Sequence, residues 1–393
     1  MRANRAAVSI AFLLFGVTAG TFLPRLSAVK DNLRLTDGQV GVVFLVFAIG
    51  AVISAGAGRA ILARGSRTPV RAGLFVMCVM LAAQGLAPTF VSLAVAFLVV
   101  GLCVGAVDML LNSQATAIER ESGRPMINSF HGFWSLDSIA GSLIAVAAAA
   151  AAVSPAVHLT VVGVVLALAS IPLVAAVPNT RGASASLLAP GSGRWHIGAA
   201  VAVVSALALA SVTVEGAGGD WSAIYLRDFG HAPESVAALG FGVLSVAMTA
   251  VRFTADRLTA LAGLRVVAAL GGLVAGLGFL LAIAFPAPAS SLAGWALVGA
   301  GTAVLFPLAM TSASNIDKRG TALTIATAAG YAGSIVAPPA IGAAADRFGL
   351  RLALLIPALG ALAVVGMMAS TRVLSSSTTR RLADATEGLE SKA

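Results

Sequence analysis

The sequence predicts an all-α membrane protein with twelve transmembrane helices in two six-helix bundles. Three observations carry this expectation. The 393 residues are 59% hydrophobic and 10% charged, with a mean hydropathy of +0.96, more apolar surface than a soluble chain of this length can hide. Apolar runs of roughly 20 residues recur about twelve times, and at about 1.5 Å per helical residue each crosses a hydrocarbon core about 30 Å thick. A long polar break then separates six runs from six. In lipid every backbone amide must be paired within the structure, which leaves helices or closed barrels. A barrel needs strands of about 10 residues with alternating polarity, and these runs are apolar throughout.

The expected spans are 6–24, 38–60, 70–88, 90–115, 128–152, 157–176, 196–218, 235–256, 264–285, 289–313, 321–344 and 352–370. Arg2 and Arg5 ahead of the first run resemble the start of a signal peptide. The run is longer than a signal core, no convincing A-x-A site follows, and many more spans lie downstream, so it is read as helix 1. With an even number of spans both termini share one side. Placing them inside leaves only Arg25, Lys30, Arg34, Arg227, Arg347 and Arg351 outside, six of the 25 Lys+Arg. The positive-inside rule therefore predicts a multi-pass protein of the bacterial inner (plasma) membrane with both termini cytoplasmic. The net charge of +9 then reads as basic loops meeting anionic lipid head groups, since no soluble basic domain exists to bind nucleic acid.

The break PNTRGASASLLAPGSGRWH, at 177–195, is rich in Gly, Ser, Ala and Pro and reads as a flexible linker. The expected organisation is an N-terminal bundle (1–176), a cytoplasmic linker (177–195), a C-terminal bundle (196–371) and a disordered cytoplasmic tail (372–393). Two six-helix halves around a central site form the architecture of alternating-access transporters. Cys78 and Cys103 lack metal-ligand spacing and read as packing residues. No P-loop occurs, and His158, His196 and His231 stand in no H-E-x-x-H pattern, so neither ATP, a metal nor a cofactor is expected. A membrane enzyme would need catalytic groups clustered at one depth, and the ionisable groups are spread over helices 4, 5 and 7.

Between helices 2 and 3 the chain reads GRAILARGSR (Gly58 to Arg67), and between helices 8 and 9 VRFTADRLTALAGLR, which holds Arg252, Asp256, Arg257 and Arg265. These segments resemble the G-x-x-x-D-R-x-G-R-R signature of the major facilitator superfamily and its echo in the second half. Gly58, Gly65 and Arg67 match, while Leu62 replaces the aspartate. The resemblance implies a charged cytoplasmic lock that favours an outward-open state. Here it would be lopsided and rest on Asp256, with Arg252 and Arg257 as gating partners.

A narrower resemblance runs to the fucose-permease-like branch and to bacterial relatives with an E-G-x-x-x-D-W-S pattern. It is carried by DMLLN (Asp108, Asn112), INSFHGFWSLDSIAG (Asn128, Phe133, Ser135) and EGAGGDWSAIYLRD (Trp221, Ser222). His131 and Trp134 stand where the sugar permease has glutamine and asparagine, and its helix 1 aspartate aligns with Gly20. Fucose is therefore not carried over. Helix 5 also lacks the Gly-Pro signature of drug/proton antiporters.

An ionisable group inside a span costs about 2.5–3.5 kcal/mol, so Asp108, His131, Asp137 and Glu215 each need a reason. Gly101, Gly105, Asp108 and Asn112 share one face of helix 4. The glycines admit a close neighbour, and a carboxylate in apolar surroundings can take and release protons near neutrality. Asp108 is thus the first proton-coupling candidate, against a purely structural hydrogen bond. Asn128, His131, Ser135, Ser138 and Ser142 form a stripe on helix 5. His131 is either a proton partner of Asp108 or a packing histidine, and Trp134 is placed to stack on a ring. Asp137 lies off the stripe, as a substrate contact or an interhelix bond.

On helix 7, Glu215 is the second proton or cation candidate. The run EGAGG suggests a break or hinge, because each Gly costs about 1 kcal/mol against Ala. Asp220 and Trp221 are expected near the outer mouth. Helix 11 offers Tyr331 and a gating hinge at Pro338 and Pro339, which a plain structural kink would also explain. Asn112, Asn128, Trp134, Asp137, Trp221 and Tyr331 make up the expected solute site. The function expected is a monomeric secondary transporter that moves a small polar or amphipathic solute with protons. Its rivals are an exporter of a metabolite or natural product and a non-transporting sensor.

Overall fold

A computed structural model describes residues 2–122, 127–180, 198–316 and 320–370. Among these residues the protein is helical, with no strand. The order is α1 (Arg2–Phe22), a 3-10 turn (Leu23–Arg25), α2 (Leu26–Leu33), α3 (Asp37–Arg64), α4 (Arg67–Gly85), α5 (Phe90–Ser122), α6 (Ile127–Ala150), α7 (Pro155–Leu173) and α8 (Ala199–Asp228). There follow α9 (Glu234–Ala262), α10 (Leu264–Ala284), α11 (Pro288–Thr302), α12 (Leu305–Ser314), α13 (Thr321–Phe348), α14 (Leu350–Ala353) and α15 (Leu355–Ser370). Ten segments of the described residues are long and apolar enough to cross a membrane, and Ser138–Ala150 adds a shorter apolar helix. α13 has the length, at 28 residues. The expected number of twelve spans is approached without being reached on both length and composition.

Several helices outrun their expected spans by a few residues, and three departures are larger in kind. The first span does not stop at 24: it continues through a Pro24-containing turn into α2, giving one apolar segment Asn4–Leu33. α8 runs unbroken across EGAGG to Asp228, so the expected break in helix 7 is absent. In an apolar surrounding an opened turn strands amides with no other partner, which outweighs the glycine penalty. Conversely, the tenth span is interrupted between α11 and α12 at Ala303–Val304, which the apolar pattern does not reveal.

Local chemistry fixes the helix starts. Thr36 caps α3 in a reciprocal box with Gln39, and Ser154 caps α7 ahead of Pro155. α7 displays a stripe of exposed Val157, Val161, Val165 and Leu168, the last 64% exposed. Such a stripe suits acyl chains and not water.

The chain divides into two compact units. Unit 1 comprises Met1–Ser184, Ser222–Gly242 and Pro338–Arg347, and unit 2 the remainder. The borders therefore cross α8, α9 and α13. Within unit 1, α1 packs on α6, α3 on α5, and α4 on α5 and α7. Its core gathers Val8, Phe12, Leu74, Met77, Leu110 and Leu111. Within unit 2, α10 packs on α11 and α15, over a core of Val204, Leu207, Ala268, Leu305 and Val364.

Candidate functional site

Asp108 lies half-buried in the middle of α5. The Asn112 amide, one turn on, donates to the Asp108 carboxylate at 3.1 Å and to its backbone carbonyl at 2.9 Å. No cation pairs with Asp108 among the described residues. The neighbouring glycines do what their spacing suggested. A Cβ at Gly101 would overlap the Phe47 carbonyl, and one at Gly105 the Ala51 carbonyl, so α3 and α5 touch backbone to backbone. Asp108 is therefore held on a rigid helix pair, its one visible polar tie the neutral Asn112. That arrangement suits a group that alternates between charged and neutral forms.

Glu215 has a partner that the pattern did not foretell. Arg252 of α9 reaches it at 3.6 Å, with both side chains roughly one-third exposed. Arg252 was expected in the cytoplasmic lock with Asp256. In the fold it belongs to a mid-span pair with Glu215, because eighteen residues of α9 precede it. Asp256 and Arg257 are exposed and form no ion pair among the described residues. Arg265 instead donates to the Met368 and Ala369 carbonyls, which leave the end of α15 without helical partners. Five residues beyond Glu215, Asp220 is half-buried with no polar partner among the described residues. It is a third in-span carboxylate that the sequence placed only at the mouth. Trp221 is wholly buried, its indole N–H likewise unpaired there.

A charged network that motif reading missed occupies one end of unit 1. Lys30 donates to Asp228 and forms an ion pair with Asp37, each at 2.7 Å. Arg25, fully buried, meets Glu234 at 3.1 Å and donates to the Val153 carbonyl at 2.5 Å. Arg227 approaches Asp31 at 3.4 Å, and the Thr36 hydroxyl donates to Asp346 at 3.0 Å. The signal was available. Three of the six basic residues expected outside lie here, and Asp31, Asp37, Asp228, Glu234 and Asp346 fall in the same class of loop. A buried guanidinium without its carboxylate would be costly, so Arg25 and Glu234 depend on each other.

At the opposite end of α3, the first signature copy acts through its backbone. Gly65 holds φ +110°, a region open to glycine, and Arg67 donates to the Val177 carbonyl at 2.8 Å. The Ser66 hydroxyl bonds Thr180 at 2.7 Å and accepts from Gln114 at 2.9 Å. Leu62, in the aspartate's place, is buried in the unit 1 core.

Asn128, His131, Trp134 and Asp137 lie on α6, but their side chains fall outside the described residues. So do the linker beyond 180 and the tail from 371. Pro338 and Pro339 sit inside α13, and Tyr331, on the same helix, is partly exposed.

The chain is thus a multi-pass helical membrane protein with carboxylates held inside its spans, the makings of a transporter. No protein-family model matches it. It is 32% identical over 370 residues to the uncharacterized transporter y4wD of Sinorhizobium fredii, covering 92% of this chain and 96% of that one. An MFS-type transporter of Yersinia pestis is 29% identical over 360 residues, covering 89% and 91%. In structure it resembles the nucleoside transporter NupG, with a TM-score of 0.74 at 13% identity over 93% of this chain and 99% of that one. A bacterial homolog of the human lysosomal transporter Spinster, in an inward-facing and occupied conformation, gives 0.71 at 16% identity over 96% and 97%. The chain belongs to the major facilitator superfamily.

Proposed function

We propose that this protein is a proton-coupled secondary transporter that moves a small polar or amphipathic solute across the cytoplasmic membrane by alternating access. The observation that carries the reading is Asp108: a carboxylate within an apolar span, bound to a neutral amide and to no cation among the described residues. A carboxylate with no permanent counter-charge is stable in that setting when protonated, and binding or releasing its proton changes which surroundings it favours. Glu215 is the second titratable position, with Arg252 to stabilise its charged form. Asn112, Trp221 and Tyr331 remain the described candidates for solute contact. Asn128, Trp134 and Asp137 are further proposed solute-contact residues, and His131 a further proposed proton-coupling residue.

The proposed orientation has both termini in the cytoplasm, from the asymmetry of basic residues. Lys30, Asp228 and Glu234 then lie at the outer face. Pro338 and Pro339 in α13 remain proposed hinge positions, and Asp256 and Arg257 proposed gating residues on the cytoplasmic side.

Liposomes loaded with a pH-sensitive dye test the coupling. Addition of a panel of nucleosides, hexoses and amino acids should drive a proton flux with at least one of them. Asp108→Asn should abolish that flux while counterflow of the same labelled solute persists, since exchange needs no net proton movement. An undiminished proton flux in Asp108→Asn would remove the basis of the proposal. The sign of the pH gradient that drives accumulation separates import from export.

A further inference from the structure

A cleft of about 310 Å³ lies between the first turns of α4 and the last turn of α7, lined by Thr68, Arg71, Phe75, Ile171 and Val174 among others. From its polar to its apolar end it follows α4 for seven residues, a rise of about 10 Å. That is the depth over which a membrane passes from head groups to acyl chains. The polar and charged residues beside it differ in their engagement. Arg67 is committed to the Val177 carbonyl, and the Ser170 hydroxyl to Ala167 at 2.7 Å. Arg71 is half-buried in the cleft wall and has no ion-pair or hydrogen-bond partner among the described residues, and the Thr68 hydroxyl is likewise unengaged there. Below them Phe75 and Ile171 are 38% and 52% exposed.

We propose that this cleft is a binding site for one anionic phospholipid of the leaflet it faces. The phosphodiester would sit on the Arg71 guanidinium and the Thr68 hydroxyl, and the acyl chain would lie over Phe75 and Ile171. Charge selects the occupant: a guanidinium with no protein carboxylate favours a phosphate anion. Its apolar floor excludes a free anion as the preferred guest, because a small ion would leave Phe75 and Ile171 uncovered. The volume equals on the order of ten waters at about 30 Å³ each. That holds a phosphodiester and the first acyl carbons, while the rest of the lipid remains in the bilayer. Neither Asp108 nor Glu215 lines the cleft, and the proposal does not depend on proton coupling.

Native mass spectrometry of the purified protein, titrated with phosphatidylglycerol or with phosphatidylcholine of the same acyl chains, tests the proposal. The wild type should retain a single phosphatidylglycerol adduct in preference to phosphatidylcholine. Arg71→Ala should weaken that adduct about fivefold, the effect of one basic residue at a membrane surface. Arg71→Lys, which keeps the charge, should retain most of it, and excess glycerol 3-phosphate should not displace it. Arg64→Ala, which removes a charge outside the cleft, should leave it unchanged. Equal retention of the two lipids, or equal losses in Arg64→Ala and Arg71→Ala, would overturn the site in favour of a diffuse surface charge. Displacement by glycerol 3-phosphate would equally overturn it, in favour of a free-phosphate site.

Discussion

Glu215 and Arg252 stand 3.6 Å apart in unit 2, on α8 and α9, and each would be an isolated charge in its span without the other. Breaking such a pair by removing one member costs about 3–5 kcal/mol when it is fully buried. With both side chains about one-third exposed, the loss should be on the order of 1–2 kcal/mol. Arg252→Gln and Glu215→Gln should each lower the melting temperature in detergent. The double variant, which leaves no unpaired charge, should melt closer to wild type than either. Strictly additive losses would show that the two groups do not interact.

Asp108 and Glu215 differ in counter-charge, and this sets different consequences for their neutralisation. Asp108→Asn imitates a permanently protonated group and should flatten the pH dependence of solute affinity. Glu215→Gln leaves Arg252 unpaired and should weaken the protein as well as slow turnover. Solute binding measured between pH 5 and 8 for both variants separates the roles. If Asp108→Asn keeps the wild-type pH profile and Glu215→Gln loses it, the coupling group is on α8.

Close backbone contact between α3 and α5 makes Gly105 intolerant of any side chain. Gly105→Ala would drive a Cβ into the Ala51 carbonyl, whereas a Cβ at Gly56 meets nothing within 4 Å. Gly105→Ala should destabilise by about 1–3 kcal/mol, and Gly56→Ala should be neutral or slightly stabilising through its better helix propensity. Thermal melts of the two single variants provide the comparison.

Lys30 binds two carboxylates, Asp37 and Asp228, the second 198 positions away in sequence. Lys30→Glu should destabilise by leaving three acids together. Adding Asp228→Lys should recover part of the loss, with a coupling energy of about 1 kcal/mol in a double-mutant cycle. Absence of any recovery would mean that the network is held by Arg25 and Glu234 alone.

The sequence by itself determined the class of protein. Apolar runs of membrane length follow from composition and spacing alone, since a bilayer imposes the same 20-residue requirement on every span. The positions of Asp108 and Glu215 were legible for the same reason, as charges are conspicuous in such runs, and so was the glycine face of α5. Tertiary structure alone decided the partners. The pairing of Arg252 with Glu215 depends on how α8 and α9 lie side by side, and a signature that assigns the arginine to a loop points elsewhere. The meeting of Lys30 with Asp228 depends on contacts between segments remote in sequence, which no local pattern encodes. The interruption between α11 and α12 and the continuity of α8 through EGAGG are likewise visible only in the fold. Helix propensity differs by about 1 kcal/mol per glycine, and the need to pair every buried amide is larger.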